Sequence, residues 1–104
     1  MLLGRRVEQL IMAAENKVEA QVEVLNQLGL HARPATMVAR TAMEFSSELT
    51  LERDGDSVNP RSLMGILMLA AGKGTKLTVR AVGNDAPHAV AALVELFESK
   101  FGEE

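Results

Sequence analysis

Gly29-Leu30-His31-Ala32-Arg33-Pro34-Ala35-Thr36 marks the point where an extended segment gives way to a helix, and the rest of the chain can be ordered around it. Downstream, Ala35, Val38, Ala39, Ala42 and Phe45 recur at helical spacing, and Pro34 is tolerated only in a first turn, where its missing N–H is not needed. A helix is therefore predicted to begin between His31 and Arg33. Upstream, Val18, Ala20, Val22 and Val24 alternate with Glu19, Gln21 and Glu23, the period of a strand with one buried face.

The same two periods continue to the end of the chain. Leu49 and Leu51 alternate with Glu48, Thr50 and Glu52, and Asp54-Gly55 is a two-residue hairpin signal leading into Ser57-Val58-Asn59. Ser62 is a natural N-cap for an apolar helix over residues 63–70. Leu77, Val79 and Ala81 share one face of a further strand, Lys76 to Val82. Asn84 or Asp85 caps a last helix with an inward stripe of Val90, Leu93, Val94, Phe97 and Phe101, and Gly102 is its stop. The order is βαββαβα, an α+β fold with helices on one face of a mainly antiparallel sheet.

His31 thus falls at the start of a helix, where unpaired N–H groups and the positive end of the dipole attract anions, phosphate among them. Arg33 adds a planar cation two residues on, with paired N–H groups that match phosphate oxygens. A lone His-x-Arg is more often a polar surface pair, so the case rests on the whole octapeptide.

That octapeptide resembles the phosphorylation site of the HPr family, the histidine-containing phosphocarrier proteins of bacterial phosphotransferase systems, whose signature reads Gly-Leu/Ile/Met-His-x-Arg-Pro-Ala. A second stretch, Asn59-Pro60-Arg61-Ser62-Leu63-Met64-Gly65-Ile66-Leu67-Met68-Leu69, resembles the segment around the regulatory serine of members controlled by HPr kinase/phosphorylase. The likeness runs from about Val18 to the end of the chain. It implies an open-faced sandwich, a four-stranded antiparallel sheet covered on one face by three helices.

For function it implies a carrier with no turnover reaction of its own. His31 takes a phosphoryl group, on Nδ1 in the family, from the phosphohistidine of enzyme I and hands it to an EIIA-type protein, while Arg33 stabilises the shared charge. No cofactor or metal is implied for this chain, and a monomer is expected. Leu63, Met64, Ile66, Leu67, Met68 and Leu69 leave the second helix almost no polar face, so some must stay exposed. Methionines there suit several partners, because their side chains repack easily. With the resemblance, Leu63, Met64, Leu67 and Met68 are assigned to a docking surface, joined by Thr36 and Arg40 from the first helix; Arg40 also reads as a solvated charge.

Ser62 has two compatible readings. Unmodified, it satisfies a backbone donor, worth about 1 kcal/mol. Phosphorylated, it carries about two negative charges at a helix N-terminus, where the fold tolerates them, and the change falls on recognition. Two branches of the family stay open. Leu28, Leu67-Met68-Leu69 and the segment from Ala92 to Phe101 resemble the nitrogen-related regulatory branch, whereas the Ser62 segment points to kinase-controlled members. The alternative is a regulatory binding module like the catabolite-repression relatives, which lack the histidine. A small hydrolase is weaker still, since the motif places no carboxylate, cysteine or second histidine beside His31.

Composition sets limits that agree. A chain of 104 residues, 47% apolar and 24% charged, supports one modest core. Without cysteine there is no thiolate chemistry and no disulfide. A net charge of −3 and three aromatic residues, all Phe, argue against a nucleic-acid binder. No apolar run approaches a membrane span and Val7-Glu8-Gln9-Leu10-Ile11 is no secretory core, so a cytoplasmic protein is expected.

Residues 1–17 read as an extension outside the HPr-like unit of residues 18–104. Leu3, Val7, Leu10, Ile11 and Ala14 fit an amphipathic helix, while Met12 leads directly into the first strand as an alternative start, so residues 1–11 are expected to be dispensable. Three signals are set aside. Gly72-Lys73-Gly74-Thr75 lacks the first glycine of a phosphate loop and joins a helix to a strand in the wrong order. His88 reads as a surface residue, and Glu103-Glu104 as a solvated end.

Overall fold

The structure is a computed structural model and describes residues 10–14 and 16–104. Its strands are β1 (Leu10–Ala14), β2 (Lys17–Glu23), β3 (Glu48–Arg53), β4 (Asp56–Val58) and β5 (Lys76–Val82). The helices are α1 (Ala32–Ala42), α2 (Leu63–Met68) and α3 (Ala86–Glu98), followed by a 3-10 turn at Lys100–Gly102. The strands form one antiparallel sheet in the order β1-β2-β5-β3-β4.

The expected four-stranded sheet is the part β2-β5-β3-β4, and β5, last in sequence, is central to it. Val79 pairs with Ala20 of β2 on one side and with Leu51 of β3 on the other. All three are buried, because the period of two sends alternate residues of each strand to the covered face. On the open face Arg80 joins the two flanking strands, its Nε 2.8 Å from Glu19 and its Nη1 3.2 Å from Glu52.

The helices bury the other half of the core. The predicted stripe of Val90, Leu93, Val94, Phe97 and Phe101 is buried along its full length, with the Phe97 and Phe101 rings edge to face at 5.0 Å. Packing of α3 on β2 and β5 places that stripe over the middle of the sheet, and α1 lies against both α2 and α3. Arg53 fixes where α2 stops: its Nη1 donates to the carbonyls of Leu69 and Ala70, and Ala70 turns to φ 50°. The helix therefore ends at Met68, two residues short of the expected limit.

Two further expectations change. Leu10–Ala14 is a strand rather than the end of an amphipathic helix; Leu3 and Val7 lie outside the described residues. The strand satisfies backbone groups along what is otherwise the free edge of β2, with Leu10 opposite Ala20 and Met12 opposite Val18. Asn16 adopts φ 62° before β2, and its carbonyl accepts from Gly83 N at 2.8 Å. Asp85 occupies the N-cap position of α3 but makes no side-chain cap. Its carboxylate instead accepts from the N–H groups and hydroxyls of Ser46 and Ser47, tying the α1–β3 loop to the start of α3.

Those hydrogen bonds, that from the Ser47 hydroxyl above all, hold the Asp85 carboxyl down to about 2. A depressed folded-state value gives stability that is present above the ordinary 3.8 and is lost as pH falls toward 2. Asp85→Asn is therefore expected to melt below the parent at neutral pH, with the gap in Tm closing across that acid window. We propose that residues 1–11 are dispensable, since a chain starting at Met12 keeps β2-β5-β3-β4 and loses pairing at the outer edge of β2. Its denaturant midpoint is expected to fall by the equivalent of about 1 kcal/mol with a cooperative transition retained.

Candidate functional site

His31 is the N-cap of α1, as its sequence context predicts, with an extended backbone at φ −77°, ψ −172°. Its carbonyl accepts from Ala35 N at 3.0 Å, but its ring makes no capping bond to the first turn. Pro34, third in the helix, has no N–H to offer, so the first turn presents the amides of Ala32 and Arg33.

The loop before His31 is held by a backbone contact that only glycine permits. Gly29 sits at φ +70°, and a Cβ there would lie 2.7 Å from the Ala71 carbonyl oxygen and 2.9 Å from Gly72 Cα. Next to it, Leu30 N donates to the Ala71 carbonyl at 2.9 Å. The start of α1 is thereby seated against the segment that leaves α2.

The carboxylate that faces His31 is one the sequence reading discounted. Glu103 is not a solvated end: its side chain is only 18% exposed and reaches three partners. Oε1 lies 2.9 Å from His31 Nε2 and accepts from Asn26 Nδ2 at 2.9 Å, while Oε2 accepts from Arg33 Nη1 at 2.8 Å. Arg33 Nη1 also donates to the Phe101 carbonyl at 2.8 Å, and the buried Asn26 amide donates to the Gly29 carbonyl at 2.8 Å. Left-handed backbone at Lys100, Phe101 and Gly102 makes this possible, burying the Phe101 ring while turning the following residues back over α1. Hydrogen bonds from His31, the largest effect, and from Asn26 and Arg33 keep the Glu103 carboxyl below the usual carboxylate range.

Ser62 caps α2, its Oγ accepting from Gly65 N at 3.0 Å, and stays exposed. Arg61 anchors this cap to the α1–β3 loop, with Nη2 donating to the carbonyls of Phe45 at 2.6 Å and Ser47 at 2.9 Å. On α2 the apolar residues divide. Ile66 is buried, whereas Leu63, Met64, Leu67 and Met68 are exposed, Met68 at 77%. Thr36 turns its hydroxyl inward along its own helix, donating to the Ala32 carbonyl at 2.7 Å, and Arg40 is exposed. Leu28 is also exposed, at 73%. Asn26 and Glu103 are the site residues that sequence reasoning missed; Phe101-Gly102, a buried aromatic followed by a stop glycine, was the one signal of a returning chain.

Residues 18–99 match the family described as the PTS HPr component phosphorylation site. A phosphocarrier protein HPr of Xylella fastidiosa is 44% identical over 87 residues, covering 84% of this chain and 98% of that protein. The HPr-like protein Crh of Halalkalibacterium halodurans is 43% identical over 83 residues, covering 80% and 99%. Among solved structures, HPr of Thermoanaerobacter tengcongensis superposes with a TM-score of 0.80 at 46% identity, covering 83% of this chain and 97% of that one. The chain has an HPr-like open-faced α+β sandwich fold. It belongs to the HPr family of phosphotransferase-system phosphocarrier proteins. No helix among the described residues is long and apolar enough to cross a membrane.

Proposed function

We propose that this chain accepts a phosphoryl group on His31 from enzyme I and passes it to an EIIA-type protein, as a cytoplasmic carrier with a transient phosphohistidine. The observation that carries this reading is the uncapped His31 ring at the N-terminus of α1, with the Arg33 guanidinium held on the same carboxylate. The first-turn amides and Arg33 supply the positive field for the transferred group, and Arg33, 54% exposed, has room to exchange Glu103 for phosphate oxygens. Nothing in this step calls for a metal or cofactor on this chain.

The exposed Leu63, Met64, Leu67 and Met68, with Thr36 and Arg40, form the surface where donor and acceptors dock. Ser62, exposed at the edge of that apolar face, is the regulatory site, modified by HPr kinase/phosphorylase where the host has that enzyme. A phosphate there leaves the fold intact, because Arg61 and the backbone hold the loop from the other side. It disfavours docking, because a dianion must be desolvated at an apolar contact. The second reading is a regulatory module acting through contacts alone, favoured by the likeness to the Crh protein. His31 with its paired Arg33 weighs against it.

Incubation with phosphoenolpyruvate and either a sugar-type or a nitrogen-type enzyme I tests the proposal and, from the relative rates, chooses the branch. Acid-labile phosphate is expected on the parent chain and none on His31→Ala; a labelled His31→Ala chain would overturn the assignment. Ser62→Asp is expected to take up phosphate about tenfold more slowly, a difference of about 1.4 kcal/mol in docking, with an unchanged Tm. Uptake at the parental rate would remove Ser62 from regulation.

A further inference from the structure

The contact between His31 and Glu103 has a chemical consequence beyond carrying charge. An imidazole has one protonated and one unprotonated nitrogen when neutral, and the partner of one nitrogen decides the role of the other. Here Nε2 faces a carboxylate oxygen at 2.9 Å. A carboxylate can only accept, so in the neutral ring Nε2 is the N–H and Nδ1 the nitrogen with the free lone pair. The ring does not spend that lone pair on capping α1.

We infer that Glu103 is a positioning residue for His31: its carboxylate holds the ring in the Nε2–H form and so presents Nδ1 as the nitrogen that bonds phosphorus. This rests on the phosphocarrier reading. Asn26 and Arg33 complete the device by fixing the carboxylate itself, one donor on each oxygen, so that it aims Oε1 at the ring. The hydrogen bonds that converge on Glu103 hold its carboxyl below the usual range and so favour the ionised, accepting form.

The transfer then balances without moving a proton. The Nδ1 lone pair forms the new N–P bond while the bond from phosphorus to the donor's histidine nitrogen breaks, its electron pair returning to the donor ring. The Nε2 proton stays between ring and carboxylate, so the positive charge gained by the phosphorylated ring faces an anion. Transfer onward is the same exchange in reverse, with the acceptor's nitrogen as the incoming lone pair. Arg33 can leave Glu103 for the phosphoryl oxygens during this exchange, because Asn26 still holds Oε1.

The test uses the full chain labelled with 15N-histidine, at alkaline pH where an imidazole is neutral. The parent is expected to show His31 as the Nε2–H tautomer, with a proton resonance that is shifted downfield and exchanges slowly with water. Glu103→Ala is expected to lose that protection and to populate both tautomers, whereas Glu103→Gln, whose amide oxygen still accepts, recovers the parental signature. Initial phosphoryl uptake from phosphorylated enzyme I is expected to fall about fivefold in Glu103→Ala and to recover largely in Glu103→Gln. A parent ring protonated on Nδ1, or an Nε2 proton unchanged in Glu103→Ala, overturns the inference. So does equal or faster uptake by Glu103→Ala, which makes the carboxylate a competitor for the anion site. The spectra need no phosphoryl donor, so failure of the carrier reading in His31→Ala is scored separately.

Discussion

Burial of one face of the sheet is the constraint on which everything else rests, and β5 is where it is concentrated. Val79 on that strand is fully buried, flanked by Ala20 and Leu51 and roofed by the α3 stripe. Each element that touches β5 must therefore present small or branched apolar residues at alternate positions, and the polar residues are driven to the opposite face. Once the helices are laid on that surface their ends are determined, and the candidate site residues sit at those ends. His31 opens α1, Ser62 opens α2, and the turn after α3 delivers Glu103.

The site is consequently assembled from three separate stretches held by different forces. Gly29 allows backbone to meet backbone at Ala71, which sets the His31 loop beside the segment that follows α2. Phe101, buried beside Phe97, anchors the returning chain by apolar packing. The hydrogen bonds among Asn26, His31, Arg33 and Glu103 then close the cluster. The apolar anchors lie in the core, while the Arg33–Glu103 contact lies toward solvent, where an ion pair adds little to stability.

How much of this could be read in advance depends on the range of each interaction. The strand periods around Val18–Val24 and Leu77–Ala81, the Ser62 cap and the α3 stripe are local patterns, and they lie where the sequence places them. The central place of β5 was not legible in periodicity, since a buried face says nothing about which strand lies alongside. Leu10–Ala14 was misread because its apolar residues suit either period, and Glu15-Asn16 lacks the glycine that usually marks a hairpin. Glu103 escaped notice because its partners Asn26, His31 and Arg33 stand some seventy residues away and its approach depends on left-handed backbone at Lys100 and Phe101, residues not expected to adopt it.

The sheet order also governs how the chain acquires its structure in time. Because β2 and β3 flank a strand made after both, neither gains its inner partner until the chain has passed Val82, and closing such distant ends slows folding relative to local pairing. During that delay β2 has two open edges, each a template for association with another unfolded chain. The β1–β2 hairpin is local and can form at once, covering the outer edge before the inner one is filled. Seen in this way, Leu10–Ala14 serves the unfinished chain as well as the finished one, as a selvage laid down early for a sheet whose middle thread is woven last.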